Sequence, residues 1–118
     1  MTGKRVLVVE DEAIIAIQVE DELERAGCEV VGPASSVGKA LQLIAREPLD
    51  VAVLDYRLGA DTSREIAATL RARHIPFLFM TGNTSTDLPR DLRDVPCLEK
   101  PVRHDTLMAA LEAAVKFR

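Results

Sequence analysis

A chain of 118 residues that is 47% hydrophobic and 29% charged has room for one real hydrophobic core and not for two, so residues 1–118 read as a single domain. A net charge of −4 without a basic run argues against a general nucleic-acid binder and against a protein held on an anionic membrane. No apolar run approaches membrane-spanning length. Met1 leads quickly into a charged pair and a strand, and Cys28 and Cys97 lack metal-site or redox-motif spacing, so the expectation is a cytoplasmic protein with reduced thiols.

The first predicted strand is Arg5-Val6-Leu7-Val8-Val9, which ends in Glu10 and Asp11. From Glu12 to Ala26 the period becomes helical, with Ile15, Val19, Leu23 and Ala26 on one stripe and Gly27 as the stop. Ile14 and Ile17 fall off that stripe, either as boundary core positions or as an exposed patch for a partner. Cys28 to Gly32 is a short second strand, with Gly32-Pro33 as turn punctuation. Ser35 or Ser36 caps a second helix that runs to about Arg46, and Glu47-Pro48 ends it.

Val51-Ala52-Val53-Leu54-Asp55 is short, nearly all apolar and ends in a carboxylate, the signature of a strand buried on both faces. Tyr56-Arg57-Leu58-Gly59 reads as a loop with glycine at the bend. Ser63 to Arg73 is a third helix with Ile66, Ala67 and Leu70 inward, and Ile75 to Met80 is a fourth strand leading into Thr81-Gly82. Asn83 to Asp94 is polar, carries Pro89 and offers only Leu88 and Leu92, which predicts one or two helical turns at most within loop. Val95 to Glu99 is a fifth strand, ending at Lys100-Pro101, where proline could hold a cis bond. Asp105 to about Phe117 is a closing helix with Leu107, Ala110, Leu111, Ala114 and Val115 on one side.

Strands that alternate with helices imply right-handed βαβ units, hence an α/β three-layer, doubly wound domain around a five-stranded parallel sheet. Ligand sites in such sheets lie beyond the strand carboxyl ends, at the switch point of strand order. The ends on offer here are Glu10 and Asp11, Asp55, Thr81 and Lys100. Three carboxylates in one pocket repel unless a cation holds them. An oxygen-only donor set without His or Cys suits Mg²⁺, which usually attends a phosphoryl group. Lys100 adds a point charge and Thr81 a hydroxyl for phosphate oxygens. A carboxylate nucleophile so equipped can form an aspartyl-phosphate.

At Val6-Leu7-Val8-Val9-Glu10-Asp11, Val53-Leu54-Asp55, Met80-Thr81-Gly82 and Glu99-Lys100-Pro101 the chain resembles the receiver domain of two-component response regulators, over essentially its whole length. Pro76-Phe77-Leu78-Phe79-Met80-Thr81-Gly82 is similar, more narrowly, to the stand-alone "FAT GUY" receivers, from which the chain departs at Asn83 and Thr84. The resemblance implies a flavodoxin-like strand order 2-1-3-4-5 with a short or irregular fourth helix. It implies that Asp55 accepts a phosphoryl group from a phosphohistidine on a histidine kinase or histidine phosphotransfer protein. Glu10, Asp11, Asp55 and the backbone carbonyl of Arg57 would hold Mg²⁺, while Thr81 and Lys100 would answer the phosphate. Cys97 stands where many receivers carry an aromatic switch residue. Tyr56 reads as a lip of the crevice rather than a switch.

The expected function is phosphorelay signalling without enzymatic turnover of an external substrate, with output through a downstream protein and neither nucleic acid nor membrane. A receiver-like binding module that is never phosphorylated, or a phosphate sink in a branched relay, are the alternatives within the fold. An aspartyl phosphatase would want a second carboxylate where Arg57 stands, and a flavodoxin-like cofactor carrier would place phosphate against Glu10-Asp11-Glu12, which repel it. His74 and His104 read as surface or helix-end residues, Cys97 as a buried small apolar residue and Cys28 as a strand-edge one.

Overall fold

The computed structural model describes residues 1–82 and 88–116. Its strands are β1 (Arg5–Val9), β2 (Glu29–Ala34), β3 (Val51–Asp55), β4 (Arg57–Leu58), β5 (Asp61–Thr62), β6 (Phe77–Thr81) and β7 (Cys97–Glu99). Its helices are α1 (Ala13–Arg25), α2 (Val37–Arg46), α3 (Arg64–Ala72) and α4 (His104–Lys116). Five strands form one parallel sheet in the order β2-β1-β3-β6-β7, and β4 pairs with β5 as a small antiparallel hairpin. The main sheet therefore has the flavodoxin-like order 2-1-3-4-5, counted without the hairpin, and the switch in strand order falls between β1 and β3.

Alternation along the strands divides the core in two, because successive side chains leave opposite faces of a sheet. Val6, Val8, Val51, Val53, Leu78 and Met80 pack with Val19 and Leu23 of α1 and Leu107 and Leu111 of α4. Leu7, Val9, Ala52, Leu54, Phe77 and Phe79 pack with Ala40 and Ile44 of α2 and Ile66, Ala67 and Leu70 of α3. The all-apolar reading of β3 is explained by this double covering, with all five of its residues buried.

Several local features differ from the expectations. Gly32-Pro33 lies inside β2, not at a turn, and its peptide is cis. The pairing with β1 shifts register there, from Leu7–Val31 to Val9–Ala34, as at a bulge. Gly32 has φ +96°, and a Cβ would stand 2.8 Å from the Ala34 nitrogen, so only glycine fits. The loop after Asp55 is the β4–β5 hairpin. Cys28 is buried just ahead of β2, and Cys97 in β7 is only partly buried. Ile14 and Ile17 are 74% and 63% exposed, so the reading as boundary core positions fails and the exposed patch stands.

The region before β7 lacks a regular helix among the described residues. A 3₁₀ turn at Arg90–Leu92 follows Pro89, and residues 83–87 of the stretch expected to hold one or two turns lie outside the described residues. Leu88, Leu92 and Val95 nonetheless enter the core on the α2–α3 side. Asn83 and Thr84, where the chain departs from the FAT GUY pattern, lie outside the described residues. No helix among the described residues is long and apolar enough to cross a membrane.

Candidate functional site

The strand carboxyl ends converge. Asp11, Glu12, Asp55, Arg57, Gly59, Thr81, Gly82 and Lys100 line a cleft of about 290 Å³ beyond β1, β3, β6 and β7. Carboxylate oxygens of Glu10, Asp11, Glu12 and Asp55 lie within 4.8 Å of one another. Glu10 and Asp55 are buried, at 1% and 6% exposure, whereas Asp11 and Glu12 are exposed at the mouth.

One ammonium group holds this arrangement together. Lys100 Nζ donates to Asp55 Oδ2 at 3.0 Å and to Glu10 Oε1 at 3.0 Å, with Glu12 Oε1 farther off at 3.4 Å. The lysine side chain is itself 8% exposed. Its amide donates to the Thr81 carbonyl at 2.8 Å, which ties the end of β7 to the end of β6, and the Lys100-Pro101 peptide is cis. Thr81 ends β6 and is buried.

The electrostatics follow from burial. Desolvation raises the Glu10 carboxyl to about 7, since the hydrogen bond from Lys100 lowers it less than burial and the nearby Asp55 charge raise it. Burial works against the Lys100 ammonium, but its hydrogen bonds to Glu10 and Asp55 and their charges outweigh that, so its pKa lies above the ordinary lysine value. Glu10 Oε2 is fully buried and accepts no hydrogen bond of good geometry, although Nζ is 2.9 Å away.

A buried carboxylate oxygen without a well-formed hydrogen bond, in a cluster whose carboxylates offer only oxygen ligands, is the fit test for a hard divalent cation, and the residues meet it. Glu10, Asp11 and Asp55 would hold Mg²⁺, and Arg57, at the start of β4, lines the same cleft. All six residues singled out from the sequence, Glu10, Asp11, Asp55, Arg57, Thr81 and Lys100, are thus brought to one end of the sheet.

Sequence reasoning missed three participants. Glu12 joins the cluster and faces Lys100, and its only signal is adjacency to the Glu10–Asp11 pair. The Gly59 amide donates to Asp11 Oδ2 at 2.8 Å. The Ser63 hydroxyl donates to the Asp55 main-chain carbonyl. Nothing local in the sequence marks either backbone-directed bond. Tyr56 is no lip of the crevice. It is 7% exposed, and its ring meets Phe79 edge-on at 5.7 Å inside the core. His74 follows the end of α3 with φ 58°, and His104 opens α4 with Nδ1 3.1 Å from Glu22 Oε2.

Comparison with known proteins gives the same assignment. The response regulator receiver domain family matches residues 6–112. The transcriptional regulatory protein PdtaR of Mycobacterium tuberculosis is 32% identical over 123 residues, covering 98% of this chain. The chain spans 58% of the length of that relative. Among solved structures, SdrG from Sphingomonas melonis Fr1 is 38% identical with a TM-score of 0.86, over 96% of this chain and 97% of that one. The BeF₃-activated conformation of SdrG (from Pseudomonas melonis Fr1) gives 38% identity and a TM-score of 0.82, over 98% and 99%. This chain belongs to the response regulator receiver domain family.

Proposed function

We propose that the protein works as a phosphorylation switch in a two-component system, accepting a phosphoryl group on Asp55 with the help of Mg²⁺. Receiver domains are signalling domains that bind Mg²⁺ at an acidic pocket, and this chain has such a pocket. The observation that carries the reading is Lys100 Nζ, held at 3.0 Å from both Asp55 and Glu10 inside a cluster of four carboxylates. A buried lysine so placed is ready to meet new negative charge at Asp55.

In the reaction, a carboxylate oxygen of Asp55 attacks the phosphorus of a phosphohistidine on a histidine kinase or phosphotransfer protein. The P–N bond breaks as the P–O bond forms, and the imidazole leaves as the neutral base after taking up a proton. Glu10, Asp11, Asp55 and the Arg57 carbonyl would hold Mg²⁺, which when bound would neutralise charge on the transferring oxygens. Lys100 then turns from three carboxylates toward the phosphoryl oxygens, and Thr81 donates its hydroxyl. The new group brings about −1.5 to −2 charges to the cleft. That change acts on the end of β6 and on the described stretch from Leu88 to Asp94 before β7, and the signal leaves by contact with a downstream protein. Ile14 and Ile17, exposed in the first turns of α1 next to Asp11, offer an apolar surface to the phosphodonor protein.

Residues 1–118 act as one phosphoacceptor unit, in the cytoplasm, and the only chemistry catalysed is their own phosphorylation and dephosphorylation. SdrG, 38% identical, has a BeF₃-activated conformation, which supports regulation by phosphorylation over a binding module that is never modified. The test is mass spectrometry after incubation with a small-molecule phosphodonor and Mg²⁺. Wild type gains one phosphoryl group, mapped to Asp55, and Asp55→Ala gains none. Equal incorporation by the two proteins would remove Asp55 as the acceptor.

A further inference from the structure

Ser63 stands at the N-cap position of α3, where a serine hydroxyl ordinarily accepts from an amide of the first helical turn. It makes no such cap here. The residue is fully buried, and its hydroxyl turns the other way to donate to the main-chain carbonyl of Asp55. Its amide donates to the Tyr56 carbonyl at 2.7 Å. Between these two anchor points runs the β4–β5 hairpin, and the amide of Gly59, in the connection between its strands, donates to Asp11 Oδ2. A closed loop therefore starts at Asp55, reaches across the cleft to Asp11 and returns to Asp55 through Ser63.

We propose that Ser63 is a positioning residue for the acidic site: by pinning the main chain of Asp55 and Tyr56, it fixes the acceptor carboxylate, the Arg57 carbonyl and the Gly59 amide in place for Mg²⁺. The inference rests on the Mg²⁺-dependent acceptor reading above. Ser63 donates to main-chain carbonyls, of Asp55 from its hydroxyl and of Tyr56 from its amide, so its influence is transmitted through the backbone. Without the hydroxyl, the Asp55 carbonyl loses its partner in a dry setting and turns to find another. That turn moves the carboxylate of the same residue and the peptides that follow it. The hairpin strands are only two residues long and have little pairing of their own to resist it.

A merely structural serine would lower stability and leave ion affinity alone, so affinity is the readout that separates the two. The experiment is a calorimetric Mg²⁺ titration of wild type, Ser63→Ala and Ile66→Val, with urea unfolding of each. Ile66 is buried in α3, is not among the residues lining the cleft, and serves as the control for lost stability. Partners that orient metal ligands typically change affinity about 10- to 100-fold when removed. Ser63→Ala is expected to bind Mg²⁺ at least about tenfold more weakly, whereas Ile66→Val is less stable and binds as wild type does. If Ser63→Ala does not fold, Ser63→Cys keeps a weaker donor of similar size and is expected to show a smaller loss in the same direction. A serine variant that folds and binds Mg²⁺ within twofold of wild type overturns the positioning role alone. A wild type that binds no Mg²⁺ overturns the acceptor reading together with it.

Discussion

Glu10 shows how one residue can link the site to pH. Its carboxyl sits at about 7 in the fold against an ordinary value of 4.5, because burial outweighs the help of Lys100. A group whose folded pKa is raised contributes stability that is fully present below the unfolded value and is lost as pH rises through the folded one. The metal-free protein should therefore lose stability on the order of 1–3 kcal/mol between about pH 4.5 and 7 from this residue, and no more above that. Mg²⁺ affinity runs the other way, since the ion needs Glu10 ionised and the proton competes with it. Affinity should rise from pH 6 to 7 and level off by pH 8, and Glu10→Gln should flatten both profiles. Urea unfolding and Mg²⁺ titration across that range check the pair of slopes. A profile for Glu10→Gln as steep as that of wild type would assign the titration to another group.

Among the elements, the segment before β7 separates what packing does from what surface charge does. Its described residues form a 3₁₀ turn and no longer helix, yet Leu92 is 3% exposed in the core, while Arg64 of α3 reaches Asp91 only at 3.5 Å on an open surface. Leu92→Ala should cost about 2–4 kcal/mol, and Arg64→Ala less than about 0.5 kcal/mol, by urea unfolding. Comparable losses would mean that the segment is clamped by charge and not by its leucines. The same contrast explains what was legible in the sequence. β1, β3 and the helices announced themselves because burial on one stripe or on both faces leaves a period that composition alone reveals. β2 was read short because a cis Gly32-Pro33 inside a strand looks, letter by letter, like a turn. The β4–β5 hairpin was invisible, since two-residue strands carry no period at all. Glu10, Asp11, Asp55, Thr81 and Lys100 were findable because each stands at the end of a predicted strand. Ser63 and Gly59 were not, because the Gly59 amide is one that any residue would supply and the Ser63 hydroxyl is aimed at a main-chain carbonyl that no local pattern marks.

For the molecule as a whole, the acidic cluster exists only when the chain is folded. Asp55 follows Asp11 by 44 positions (55 − 11), and only the pairing of β1 with β3 sets their strand ends side by side. An unfolded chain offers Mg²⁺ no comparable site, so the ion stabilises the native state by mass action, about 2.7 kcal/mol at one hundred times its Kd. For a domain of this size that corresponds to a rise in Tm on the order of 10 °C. Asp11→Asn isolates this effect well. Lys100 keeps its contacts with Glu10, Glu12 and Asp55, and an asparagine oxygen can still accept the Gly59 amide, so the metal-free fold should be nearly unchanged. What it loses is one charged donor to the ion. Thermal unfolding against Mg²⁺, at ionic strength held constant with a monovalent salt, should show a saturating rise for wild type and less than half of it for Asp11→Asn at the same concentrations. A rise of equal size in both proteins, or one reproduced by the monovalent salt, would trace the stabilisation to general screening of a chain of net charge −4 and not to an ion seated between β1 and β3.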